Sequence, residues 1–128
     1  MRARAVVPVL LLAAACSGGG SSFTQPRASA FHPGSCHDLA APVLQLGKDL
    51  HGLGAKAPDS RQSTAIKDAQ TKVRALMPQA PADLQPTVQK LVTTVGILRI
   101  RTDTDSYDES LTKDAMTAYR QLVDTCTS

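Results

Sequence analysis

The residues of this chain best suited to chemistry are three cysteines, three histidines and one cluster of acids. Asp103-x-Asp105 opens like a calcium loop, in which alternate oxygens ligate a hard cation. The pattern then breaks, because Tyr107 holds the next liganding place and Asp108, not Gly, the place of the sharp turn. Ser106-Tyr107-Asp108-Glu109 reads instead as a capping box, where acids favour the positive end of a helix. Arg99 and Arg101 just before it balance Asp103 and Asp105, so the cluster, Asp114 included, predicts capping and solvation rather than calcium. His32, His37 and His51 lack the close spacing of a helical metal pair and read as surface residues. No haem-attachment, Gly-rich phosphate, serine-elbow or zinc-protease pattern occurs. The expectation is a protein with no catalytic residue, no metal ligand and no cofactor.

The cysteines carry more. Cys16 follows a positive head (Arg2, Arg4), an apolar run from Ala5 to Leu12 broken only by Pro8, and three alanines. That order is a secretory signal layout, and the run is far short of the roughly 20 residues that span a bilayer. Leu12-Ala13-Ala14-Ala15-Cys16 resembles the lipobox of bacterial lipoproteins, with Ala13 where the family usually carries Leu. The resemblance implies that residues 1–15 are removed and that Cys16 is lipidated, with palmitate or a related chain. It also implies an anchor on the extracytoplasmic face of a bacterial membrane. An ordinary signal peptidase reading Ala13-x-Ala15 would instead release a secreted protein. Ser17-Gly18-Gly19-Gly20-Ser21-Ser22 is the kind of linker that holds a domain off a surface. The aperiodic stretch 16–35 reads as a disordered tether, with Phe23 and Phe31 as isolated aromatics in it.

The remaining pair, Cys36 and Cys126, brackets the rest of the chain. In an exported protein the expectation for two such cysteines is a disulfide, which leaves Cys36 unavailable as a thiol activated by His37. Removal of residues 1–15 takes Arg2 and Arg4 with it. The balance falls from 14 Lys+Arg against 11 Asp+Glu, +3, to 12 against 11, +1. So small a charge gives no footing for a nucleic-acid partner.

Between the two cysteines the apolar residues recur at helical spacing in four segments. Leu39, Val43, Leu46, Leu50 and Leu53 form one stripe behind Ser35, with Pro42 implying a later start or a kink and Gly52 and Gly54 an end. Asp59, with Gln62 three residues on, caps a second segment whose thinner stripe is Ile66, Ala69, Val73, Leu76 and Met77. A third starts at Asp83, which leaves Pro86 in the first turn, and carries Leu84, Val88, Leu91, Val92, Val95 and Leu98. The fourth, from the Ser106 box, has Leu111, Ala115, Ala118, Tyr119, Leu122 and Cys126 on one side. Four such segments with short connections predict an all-α, up-down-up-down four-helix bundle over residues 36–128. That topology brings the start of the first helix and the end of the fourth together, where Cys36 and Cys126 lie.

Some apolar residues fall off these stripes: Leu44, Ile97, Ile100, Met116 and Val123. A helix touching two neighbours has a wide buried arc, which accounts for them as core. The sharper reading makes them a surface for a partner or ligand. The function expected is therefore a non-enzymatic structural or interaction role in the envelope. The alternative is carriage of a small hydrophobic ligand, and a filled or hollow bundle centre separates the two.

Overall fold

A computed structural model describes residues 23–128. The signal segment, Cys16 and the Ser17–Ser22 run lie outside the described residues. The domain is all-α, with helices α1 (Ser35–His51), α2 (Ser60–Leu76), α3 (Gln85–Asp103) and α4 (Glu109–Thr127). Each helix packs on its chain neighbours and α1 closes the ring against α4, the up-down-up-down bundle expected from the spacing.

The helix ends show where local chemistry set the boundaries. Gly34, at φ 91°, takes the N-cap position of α1, a conformation that suits a residue without a Cβ. Ser35 is thereby inside the helix, and its hydroxyl donates to the Gln79 carbonyl at 3.1 Å. Pro42 neither delays nor ends α1, because Leu39, Ala40, Val43 and Leu46 are buried on both sides of it. Asp59 forms the expected capping box: Gln62 N–H donates to Asp59 Oδ1 at 2.8 Å, and Asp59 N–H to Gln62 Oε1 at 3.0 Å. Asp83 does not start α3. Leu84 and Gln85 both donate to the Pro81 carbonyl, so a turn precedes the helix.

Nor does Ser106 cap α4. Asp105 sits in the left-handed region at φ 56°. Ser106 N–H donates to Arg101 O at 2.8 Å and Asp105 N–H to Thr102 O at 3.2 Å, the bond pair of a Schellman ending to α3. Ser106 is thus consumed by the helix before it, and Asp108 becomes the N-cap of α4, accepting from Ser110 N–H at 2.9 Å. That backbone bond holds the Asp108 carboxyl below its ordinary range.

The core is filled by the four stripes. Leu39, Leu46, Leu50, Ile66, Leu91, Leu98 and Leu122 are among its largest fully buried side chains. Two polar side chains are buried with it: Thr112, hydrogen-bonded to the Tyr107 hydroxyl, and Gln70, 1% exposed, which donates from Nε2 to Val92 O at 2.9 Å and accepts from Arg99. Both ends of the amide are satisfied, which burial in an apolar core demands. Cys36 and Cys126 are disulfide-bonded with Cα atoms 5.4 Å apart, a separation usual for the bond.

The tether expectation is corrected over residues 23–34. Phe31 is only 4% exposed and belongs to the core. It follows a single 3₁₀ turn over Ala28–Ala30, and the next residue, His32, donates its N–H to Cys126 O at 2.8 Å. His32 Nε2 adds a bond to Ser128 O at 2.7 Å. Both bonds go to carbonyls at the end of α4, Cys126 in its last turn and Ser128 at its C-cap, which have no partner within the helix. Residues 23–34 are therefore a strap fastened to the bundle, and the domain begins at least twelve residues before Ser35 (35 − 23 = 12).

Candidate functional site: the strap dock on α1 and α4

The strap runs along the α1–α4 side. Its fastening by His32 lies at the disulfide end, where α1 begins and α4 finishes. Its first residues lie toward the opposite end. The Phe23 ring stacks on His51, the last residue of α1, with centroids 4.3 Å apart and planes 11° apart. It also meets Tyr119 at 6.2 Å in a tilted contact. Gln25 uses both hydrogens of its amide, donating at 2.8 Å to Leu44 O and at 2.8 Å to Tyr119 Oη. A buried Tyr needs a partner for its hydroxyl, and here the partner comes from 94 residues away in the chain. Burial pushes the Tyr119 phenol above its ordinary range, with the Gln25 bond opposing it.

Gly47 makes this meeting physically achievable. A Cβ built there would stand 2.5 Å from Tyr119 Cε2 and Cζ and 2.9 Å from Gln25 Nε2. No real Cβ approaches so closely, so the dock requires glycine in mid-helix. Ala is a better helix former than Gly by roughly 1 kcal/mol, whereas overfilling a packed site costs about 1–3 kcal/mol. Tyr119 is walled in by Phe23 and Gln25, so the second effect wins. Gly47→Ala is expected to lower unfolding stability in urea by about 1–2 kcal/mol. A stabilised variant would show that Tyr119 moves aside freely and that the dock is loose.

The off-stripe apolar residues divide. Ile97 and Ile100 are exposed, at 46% and 63%, on the outer face of α3. Met116 and Val123 are buried core residues and are removed from the candidate surface. Their helix, α4, is covered by α3 on one side and by α1 on the other. Val123 further shares a cleft wall with Phe23 and Pro26 of the strap. Leu44 is half-buried against the core, its carbonyl covered by Gln25. The strap residues themselves were missed by periodicity because twelve aperiodic residues carry no helical signal.

Other depressions are surface clefts with mixed walls. One of about 530 Å³ lies between the end of α1 and the start of α4, lined by Leu50, His51, Glu109, Lys113, Met116 and Arg120 among others. Another, of about 430 Å³, lies between α1 and α2 and is walled by Gln45, Asp49, Asp68 and Lys72 with small apolar groups. Among the described residues no three of His, Cys, Asp and Glu stand together as a metal-binding group. The acids from Asp103 to Asp114 are arranged by the two helix ends, with Asp105 at the turn and Asp108 at the cap. Among the described residues no helix is long and apolar enough to cross a membrane. Set against known proteins, the chain matches no family model, no curated protein and no solved structure.

Proposed function

We propose that the protein is a bacterial lipoprotein held on the extracytoplasmic face of a membrane by a lipid on Cys16. Its bundle works without catalysis, by contact with another envelope protein. The single observation that carries the interaction reading is the filled centre. Leu, Val, Ile and Ala side chains meet along the axis, and among the described residues the large apolar ones left exposed are Ile97 and Ile100 on α3. A carrier of a small hydrophobic ligand needs a concave apolar site that buries most of its cargo, and the open, polar-rimmed clefts suit that poorly. The disulfide fits an oxidising compartment outside the cytoplasm. The order of charge, apolar run, small residues and Cys16 supports the anchor.

Metabolic labelling with a palmitate analogue tests the anchor. Wild-type protein is expected to take up label and fractionate with membranes, and Cys16→Ala to lose both. Wild-type protein without label overturns it in favour of a secreted bundle, and label that survives Cys16→Ala overturns Cys16 as the site of the lipid.

A further inference from the structure

A cleft of about 200 Å³ lies between the start of α2 and the end of α3, floored by the buried Ile66 and Leu98. Lys67, Arg99 and Asp103 line it, two cations and one carboxylate. We infer that this cleft binds a small amino acid, with the ligand's carboxylate on Arg99 and Lys67 and its ammonium at Asp103. The inference goes beyond the interaction reading and is independent of the anchor at Cys16.

Gln70 sets Arg99 apart from an ordinary surface cation. It is 1% exposed and accepts from Arg99 Nη1, so a half-buried guanidinium is held against the core instead of swinging in solvent. The bundle itself does not need this arrangement. Val92 O, the other partner of Gln70, sits inside α3, where the N–H of Gly96 four residues on already serves it. Gln70→Leu would fill the same space without leaving that carbonyl unpaired. Burying an amide and immobilising an arginine both cost stability. What they produce is a guanidinium fixed in a cleft wall, as a supporting shell fixes a binding group.

Arginine offers its N–H donors in a planar fork. With Nη1 spent on Gln70, the Nε and Nη2 edge still matches a carboxylate in a bidentate pair. Lys67, exposed and on the α2 wall, adds a second positive charge. The remaining polar groups of the cleft ask for donors. The Thr64 and Thr102 hydroxyls donate to Ser60 O at 2.9 Å and Leu98 O at 2.8 Å, so toward a ligand their oxygens can only accept. Asp103 accepts as well, and it is negative. A carboxylate with a cationic donor close beside it meets both sets, and that is the head group of an amino acid. At ~30 Å³ per water-sized group the cleft holds roughly six or seven non-hydrogen atoms, the size of L-alanine. The polar walls that suit a hydrophobic cargo poorly suit such a ligand well.

Titration of the full chain in detergent micelles with L-alanine, L-lactate and propionate gives the test, since the three share one carbon skeleton. The readout is the Nε–Hε magnetic resonance signal of Arg99. L-Alanine is expected to shift it saturably, with lactate weaker and propionate about tenfold weaker, the worth of one charge-assisted bond. Asp103→Asn is expected to weaken L-alanine by about tenfold while propionate binds no worse. Lys67→Ala, an exposed change, is expected to weaken all three acids without moving the melting temperature. Gln70→Leu is expected to melt no lower than wild type and yet bind L-alanine about tenfold more weakly, a split that a purely structural glutamine would not give. No saturable shift with L-alanine overturns the site. Propionate or chloride binding as tightly as L-alanine overturns the amino-acid class in favour of plain anion attraction. Gln70→Leu that binds like wild type, or that melts well below it, overturns the positioning role of Gln70.

Discussion

Excess reductant is expected to lower the melting temperature of the domain by on the order of 20 °C, with both helical signal and near-ultraviolet signal lost in one earlier transition. The Cys36–Cys126 bond closes a loop across a sequence separation of 90, so it spans nearly the whole domain. In the chain-entropy view such a closure restricts the unfolded state by ~4–5 kcal/mol. For a domain near 100 residues each kcal/mol is worth roughly 4–8 °C. The folded state loses comparatively little on reduction, since Cys126 is fully buried and a reduced thiol sits well in apolar surroundings. A Cys36→Ala/Cys126→Ala variant should melt close to the reduced wild type. Serine at position 126 should melt lower still, because it adds a buried hydroxyl. A reduced protein that melts with the oxidised one would mean that the helices alone hold the termini together.

The parts of this fold legible in the sequence were those whose information is local. Helical period alone gave the four stripes, and the Asp59–Gln62 box formed as its residue types demand. Parity and spacing of the cysteines agreed with an antiparallel bundle, since both demand that Cys36 and Cys126 meet. The illegible parts depend on contacts made at a distance or on one backbone angle. Ser106 lost its expected role because Asp105 adopts a left-handed conformation and turns Ser106 back onto Arg101. Met116 and Val123 looked peripheral on a helical wheel drawn for one neighbour, yet α4 has two and the strap nearby. Gln70, four residues from Ile66 on the buried side of α2, was a polar residue at a core position and therefore a readable signal of a buried network. The strap was the largest omission. Its three informative residues, Phe23, Gln25 and Phe31, acquire meaning only from Tyr119, Gly47 and the end of α4.

Phe31→Ala should be the most damaging single change in that strap. The ring is 4% exposed within the main core, and removing a buried Phe typically costs about 3–5 kcal/mol. Phe31 lies between the Ala28–Ala30 turn and the His32 bonds to α4, so without the ring the segment is held by those bonds on one side and by the Phe23 and Gln25 contacts on the other. Two responses are distinguishable. If the strap stays down over a cavity, the full cost appears in the melting curve and Arg27 resists trypsin as in the wild type. If the strap lifts, the cost is capped at the docking energy and Arg27, already exposed, becomes a fast cleavage site. The second is expected, because a twelve-residue segment held at its ends by few bonds opens more cheaply than a bundle accommodates a hole. Wild-type stability with wild-type proteolysis would instead place Phe31 outside the cooperative unit.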